Sequence, residues 1–405
     1  MVKPWDTATI GDFLDFKNGL NKGKEFFGYG TPIVNYTDVY RKRGLTKNDV
    51  RGKVNLTRDE IHRFDARKND VFFTRTSETP EEVGMSSVLL DDIDDCVFSG
   101  FVLRGRPKND MFVPEYCKYC FTTEAVRSAI IMGCTYTTRA LTNGKQLSAI
   151  EIVVPSKPEQ EAIAQSLTDI DELILSLEKL VAKKKVIKQG AMQELLTGKR
   201  RLPGFSGEWS KCKLGSLGVF LKGTGISRND SNSGNLPAVR YGELYTKHQN
   251  YVNSYFSHIS KEVASNAQRI YRGDILFAAS GETKEDIGKC SAIIYETVAY
   301  AGGDILIFRP TTQLDPVFMG TLLNMADARK QRAAQGQGDA VVHIHADALS
   351  SISIIIPNIE EQKAIAEILI GMDKEIELLK RKLEKYRQVK QGMMQQLLTG
   401  KIRLM

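Results

Sequence analysis

Apolar residues step by four and three along two stretches of this chain. The first stripe runs Ile163, Leu167, Ile170, Ile174, Leu177 and Val181 before it meets Lys184. The second runs Ile365, Leu369, Met372, Ile376, Leu379, Leu383 and Tyr386. Heptad spacing of this kind makes a narrow seam suited to a partner helix. Start signals precede both stripes: Ser156 with Glu159, and Asn358 with Glu361, have capping-box spacing. Gly198 and Gly400 follow the last periodic residues, where a left-handed cap favours glycine, and Pro203-Gly204 breaks the first helix completely. Two amphipathic helices packed on their own domains would also fit. The length of the heptad run favours helices that pair with each other, and Lys184 in the stripe then sets register or snorkels.

Gly190 and Gly392 sit at equivalent places inside the two helices. Each costs about 1 kcal/mol relative to alanine, so their recurrence points to a tight helix crossing or a local break. The lysines around Lys183–Lys188 and Lys380–Lys390 read as a solvated face. Some 40 helical residues at about 1.5 Å each make a rod of roughly 60 Å. That length spans about 17 base pairs of B-DNA.

The two helices belong to a tandem duplication. Glu159–Leu202 and Glu361–Leu404 match at about half of their positions, two hundred and two residues apart. The similarity continues backwards more weakly. Pro32-Ile33-Val34-Asn35-Tyr36 parallels Pro237-Ala238-Val239-Arg240-Tyr241, and Asn69-Asp70-Val71-Phe72-Phe73 parallels Gly273-Asp274-Ile275-Leu276-Phe277. SETPEEVG from Ser77 parallels GETKEDIG from Gly281, Arg106-Pro107 parallels Arg309-Pro310, and Trp5 parallels Trp209, these being the only two tryptophans. The expected fold class is therefore α+β (mixed α/β), a pseudo-twofold tandem repeat. Two globular domains, 1–155 and 204–356, are separated by two long antiparallel coiled-coil helices in 156–203 and 357–405. Short β-rich runs such as DVFFTR and GDILFA are bounded by Gly, Asp and Pro, and one longer helix is expected in each half, near Glu115–Met132 and Pro316–Gln335.

Composition narrows the function. The chain has 405 residues, enough for two or three domains, with 26% charged residues and a formal net charge of +7. A mild basic excess permits a polyanionic partner without requiring one. The N-terminal residues lack the apolar region of a signal peptide, no apolar run approaches the roughly 20 residues of a membrane span, and six cysteines form no disulfide framework. The expected location is cytoplasmic.

Catalytic motifs are few. There is no phosphate loop of the G-x-x-x-x-G-K-[ST] type, and Gly223-Thr224-Gly225 is only a fragment of a dinucleotide fingerprint. No Asn/Asp-Pro-Pro-aromatic segment of the kind found in amino-methyltransferases is present. Asp274 followed by Glu282 and Lys284 loosely resembles a metal-dependent nuclease constellation, but the parallel copy has Asp70, Glu78 and Pro80, so a structural loop is favoured. Cys117 and Cys120 align with Met319 and Leu322, which reads as core and not as zinc. His343 and His345 lack an evident third ligand, so no metal is expected.

The duplicated helix copies end in QELLTGK and QQLLTGK, and each begins with Pro155…Glu159-Gln160 or Pro357…Glu361-Gln362. Together with the GDILF…G segment, they resemble the conserved regions of type I restriction-modification specificity subunits. The resemblance covers the whole chain. It implies a non-catalytic subunit in which two target recognition domains each read one half of a bipartite, asymmetric double-stranded DNA site. It also implies that the paired helices space the half-sites and dock two methyltransferase subunits, with restriction and motor subunits joining them. S-adenosylmethionine, ATP and Mg2+ then belong to those partners, and no cofactor to this chain. The opening Lys3-Pro4-Trp5 resembles the Pro203…Trp209 segment before the second domain, which a quasi-cyclic arrangement with neighbouring termini would explain. The competing readings are the nuclease already mentioned and a coiled-coil adaptor with no DNA role.

Base readout needs Arg, Lys, Asn, Gln, Ser or Thr on loops that reach base edges. In the first domain the candidates are Arg41, Lys42 and Arg43, then Thr74, Arg75, Thr76 and Ser77, then Thr137, Thr138 and Arg139. In the second they are Arg240, Lys247 with His248, Ser280, Lys284, and the loop carrying Gln335 and Gln337, whose glycines would let it approach DNA closely.

Overall fold

In the computed structural model, which describes residues 5–136, 138–338 and 341–404, the chain divides into two compact units. One comprises Met1–Lys179 and Arg381–Met405, the other Leu180–Lys380. Each unit contains one globular half, the start of one long helix and the end of the other.

The two globular halves repeat one sheet order. In the first unit the strands run Leu14–Asn18, Val102–Pro107, Val71–Thr74, Ser86–Leu89, Gly44–Leu45, antiparallel except for the last, parallel pair. In the second they run Gly218–Lys222, Ile305–Pro310, Ile275–Ala278, Cys290–Ile293, Tyr251–Val252, again with a parallel final pair. The central strands Val71–Thr74 and Ile275–Ala278 are buried on both faces, which is why their sequences are continuous apolar runs and do not alternate. The aspartate before each central strand is a structural anchor. Asp70 accepts from Arg106 Nε and Nη2 at 2.9 and 2.7 Å, and Asp274 accepts from Arg309 at the same two distances. Asp274 is thereby consumed, and among the described residues no group of acidic, His or Cys side chains could hold a metal ion. Cys117 and Cys120 are buried in the first core, Met319 in the second.

The expected single helix near Glu115–Met132 is in fact Pro114–Cys117, a 3-10 turn at Cys120–Thr122, and Glu124–Gly133. Thr123 starts the last piece by accepting from Val126 N. In the second half Pro316–Leu323 and Ala326–Gln335 replace Pro316–Gln335. There Asn324 ends the first piece, and its amide donates to the carbonyls of Gly320 and Cys290 at 3.1 and 2.8 Å. A polar side chain that bonds its surroundings in this way competes with continuation of the helix.

The long helices span Lys157–Leu195 and Ile359–Leu397. Gly198 and Gly400 follow them with φ of 68° and 69°, as a left-handed stop requires. Not all of the heptad stripe is a helix-pairing seam. Ile163 and Leu167 enter the first globular core together with Leu397 and Leu398, and Ile365 and Leu369 enter the second with Leu195 and Leu196. Ile170, Leu177, Val181, Ile376 and Leu383 are buried outside those cores, with Ile174, Met372 and Leu379 half-buried.

Ion pairs define the antiparallel sense within each unit. In the first, Lys390 pairs with Asp171 and Arg387 with Glu178; in the second, Lys188 pairs with Asp373 at 2.5 Å and Lys184 with Glu375 at 2.6 Å. The lysine runs are therefore not simply a solvated face. Asp171 also accepts from Tyr119 Oη at 3.0 Å, and Asp373 from Tyr251 Oη at 2.9 Å, so each aspartate joins both helices to a globular half. Gly190 and Gly392 mark neither a crossing nor a break. The helices continue through them, and a Cβ at either would meet nothing within 4 Å.

Glu159 and Glu361, placed by spacing at the third position of capping boxes, serve chiefly another purpose. Glu361 is fully buried and accepts from Arg201 Nε and Nη2 at 2.6 and 2.7 Å and from Trp209 Nε1 at 3.3 Å. In the first unit Glu159 accepts from Arg403 and from Trp5 Nε1 at 3.1 Å. The Arg403 guanidinium is the main cause holding the Glu159 carboxyl below the usual range. The capping expectation survives only in part: Asn358 Oδ1 accepts from Glu361 N at 3.0 Å, while Ser156 donates its hydroxyl to Glu159. The pair of tryptophans is explained here, since each covers a stop glycine and lies under the arginine.

His248, expected at a DNA surface, is buried in the second unit at 3% exposure beside Glu243. Burial, reinforced by Lys289, pushes its pKa down to about 4. It is neutral near pH 7 and cannot act there as a cation for phosphate.

Two outcomes follow from these contacts. Arg201→Met strands a buried carboxylate, and the second unit should lose stability. The loss would be read as reduced hydrogen-exchange protection at the start of the second long helix. The His248 shift is downward, so its contribution is complete above the ordinary histidine value of about 6.5 and is lost as pH falls from there towards about 4. Urea unfolding at pH 7 and pH 5 should accordingly show a smaller loss of stability in His248→Gln than in the unsubstituted chain.

Candidate nucleic-acid interface

Short strand pairs bring the polar candidates together. In the first unit Thr76–Ser77 pairs antiparallel with Ala140–Leu141, which places the Thr76–Ser77 segment beside Arg139. The helix Tyr36–Arg41 packs beside the central strand. Between them opens a cleft of about 410 Å³ lined by Tyr36, Tyr40, Thr76, Ser77, Glu78, Glu82, Phe101 and Arg139. The Tyr36 and Tyr40 rings stack with centroids 5.8 Å apart and planes 14° apart. Glu82 accepts from Tyr40 Oη at 2.8 Å and from Ser77 Oγ at 2.9 Å. These two donors hold the Glu82 carboxyl below its ordinary value, and the same carboxylate raises the Tyr40 hydroxyl. Glu82 is thus ionised at neutral pH and faces a cleft that also carries a cation.

The candidates in the first domain separate into usable and consumed groups. Arg41 is exposed at the end of its helix. Lys42 pairs with Asp49, and Arg43 turns away to approach Met394 Sδ at 3.5 Å and the Tyr119 ring. Thr74 must be withdrawn: it is fully buried, donates to Glu82 O at 3.0 Å and accepts from Met85 N at 2.9 Å. Ser77 is also buried, with its hydroxyl spent on Glu82. Arg75 and Thr76 are half-buried. Thr138 and Arg139 are exposed, and Arg139 has no hydrogen-bond or ion-pair partner among the described residues. Thr137 lies outside the described residues.

In the second unit Ser280–Gly281 pairs antiparallel with Val342–His343. Tyr245 Oη donates to Ser280 O at 3.0 Å, so the helix Tyr241–Thr246 sits beside this strand pair. Ser280 is buried, with its hydroxyl 3.1 Å from His343 Nδ1, and is withdrawn as a base reader. Gln337 exchanges backbone hydrogen bonds with His343 at 2.9 and 2.8 Å, which brings the exposed Gln335 and Gln337 to the same place. Gly338, next to Gln337, has φ of 108°, a conformation that favours glycine. Lys284 is exposed, and Lys247 lies over the Phe256 ring. Arg240 is half-buried, donates to Ser257 Oγ at 3.1 Å and is less available than its sequence position implied.

Sequence reasoning passed over the aromatic and acidic lining of the first cleft. A signal was present: the Tyr36/Tyr40 spacing recurs as Tyr241/Tyr245 on the matching helix. Exposed aromatic rings beside cations are a common element of nucleic-acid surfaces.

Comparison with known proteins agrees with this organisation. Over 99% of its length the chain is 24% identical to the MjaVIII type I restriction enzyme specificity subunit of Methanocaldococcus jannaschii, covering 93% of that protein. Over 41% of its length it is 26% identical to the EcoKI specificity subunit of Escherichia coli, covering 36% of that protein. Its fold resembles the type I restriction-modification S subunit from M. genitalium, with a TM-score of 0.57 at 14% identity, covering 97% of this chain and 96% of the other. A chain solved for complex assembly and conformational transition of a type I restriction-modification system gives 0.59 at 15% identity, covering 98% of each. No described helix is long and apolar enough to cross a membrane. The family model of the type I restriction modification DNA specificity domain matches twice, over residues 2–189 and 206–387, and the chain belongs to that family.

Proposed function

We propose that this chain reads a bipartite, asymmetric sequence in double-stranded DNA for a type I restriction-modification complex. Its recognition domains would be residues 1–155 and 204–356, with the helical segments 156–203 and 357–405 as spacers and scaffold. The observation that carries this reading is the double family match, once for each globular half. Two different readers in one chain give a site with two unlike halves and an unread gap. In this reading the chain cuts and modifies nothing itself. Two methyltransferase subunits bring S-adenosylmethionine and methylate adenine N6, and restriction subunits bring ATP and Mg2+.

The readout divides into positioning and base contact. Arg41, Thr138 and Arg139 in the first domain, and Lys247, Lys284, Gln335 and Gln337 in the second, keep their polar ends at the surface. Arg41 and Lys284 suit phosphate, and the amides suit adenine N6 and N7.

Genome-wide N6-methyladenine mapping, with and without the gene in cells that express the cognate methyltransferase, tests the proposal. Loss of a bipartite methylated motif on deletion is the expected result; an unchanged methylome would overturn it. In the purified complex, Arg41→Gln should weaken binding to all DNA sequences alike. It should also flatten the slope of log affinity against log salt by about 1, as expected for one lost phosphate contact.

A further inference from the structure

The duplication lets each position of one recognition domain be matched to its counterpart by backbone pairing. Val102 pairs with Thr74, and Ile305 pairs with Ala278. Arg75 N donates to Phe101 O at 3.0 Å, and Ala279 N donates to Asp304 O at 2.8 Å. Phe101 and Asp304 therefore occupy the same place. On the adjoining strand, Ala140 pairs with Ser77 and Val342 with Gly281, while Thr142 N donates to Arg75 O and Ile344 N to Ala279 O. Arg139 and Val341 are equivalent by the same reasoning.

Around these two positions part of the structural framework is retained, although the hydroxyls of Thr74 and Ser77 have no counterpart at Ala278 and Gly281. The Asp–Arg anchor is present in both domains, and so is the tyrosine of the neighbouring helix, Tyr40 or Tyr245, which hydrogen-bonds within its domain. The two positions themselves differ completely. The first domain presents an aromatic ring and a cation, and the second an anion and an aliphatic group. All four are exposed, Phe101 to 58% and Val341 to 51%. Phe101 and Arg139 line one cleft, and among the described residues neither Arg139 nor Asp304 has a side-chain partner.

We propose that Phe101 and Arg139 in the first domain, and Asp304 and Val341 in the second, set which bases each half-site contains. The inference rests on the DNA-reading function proposed above. Arg139 donates to guanine O6 and N7, and Phe101 supplies apolar contact beside it. Asp304 accepts from the amino group of cytosine, and Val341 packs on a thymine methyl. The two domains then differ in specificity through side chains at positions that share one backbone hydrogen bond, although Asp304 is left-handed, with φ of 58°, and Phe101 is not.

The test is methylome mapping of single variants in cells expressing the cognate methyltransferase, with co-purification of the two subunits as the assembly readout. R139Q should relax one guanine position, with a loss of discrimination of about tenfold, in one half-site only. The other half and the gap should stay unchanged, and D304N should alter only that other half. F101A, at another exposed position of the same cleft, and D304N carry the test should R139Q fail to assemble. Unaltered motifs in all assembled variants would overturn the assignment, as would changes in both halves from one substitution. A bipartite motif directed by the unsubstituted chain keeps the underlying function standing in either case. Its absence would remove the function and this inference together.

Discussion

Each compact unit depends on one buried carboxylate. Glu159 and Glu361 stand in the first turn of a long helix, and each is held by an arginine that follows the end of the other long helix. Within a unit, then, the beginning of one helix is tied to the end of the other, which fixes their antiparallel sense. A buried ion pair is weak evidence of net stability, because the cost of removing both charges from water offsets their attraction. Its stronger effect is geometric. The paired, planar guanidinium donors accept the carboxylate in one orientation, and the indole N–H of Trp5 or Trp209 occupies a further lone pair. A slipped register would leave the carboxylate buried and unpaired.

This arrangement clarifies what was legible in the sequence. The duplication, the long helices and the glycine stops were visible because each depends on local spacing or on backbone conformation. The role of Glu159 and Glu361 was half visible: three-residue spacing from Ser156 and Asn358 suggests a cap, and nothing local announces an arginine more than a hundred residues away. The division of the second helix was missed because the Asn324 amide donates to Cys290 O, an acceptor that becomes a neighbour only in the folded chain, as well as to Gly320 O one turn back. Gly190 and Gly392 were misread for the opposite reason. Their recurrence suggested close packing, yet the space beside both is open.

The candidate interface shows the same division. Residue type alone placed Thr74, Ser77, Ser280 and His248 among the readers because their side chains can hydrogen-bond. The fold spends those bonds inside each domain or buries the ring, and leaves the surface to Arg41, Arg139, Lys284 and the glutamines. A polar side chain on a short strand alternates between faces with every residue, so a one-residue difference decides whether it meets solvent or the core. Thr76 and Ser77 are such neighbours, and only Ser77 is buried. The aromatic lining is not legible from hydrogen-bonding residue types, because a ring contributes stacking area and shape and not donors or acceptors.

The aspartates of the helix pair carry the argument from sequence to assembly one step further. Asp171 and Asp373 are equivalent in the duplication, and each meets an equivalent lysine, Lys390 or Lys188. The tyrosines that reach them are not equivalent: Tyr119 follows a short helix, whereas Tyr251 lies on the edge strand. A hydroxyl has been supplied to the same carboxylate from two different parts of the globular fold. Retention of the contact despite a change in its source indicates that the geometry at the aspartate is constrained more tightly than the residue that completes it. An all-apolar seam would pack as well and would tolerate a shift by one heptad; the Lys–Asp–Tyr junction does not, because sliding would strand both charges at once. The junction therefore fixes the register of the helices and, in the same contact, the attachment of each recognition domain to them.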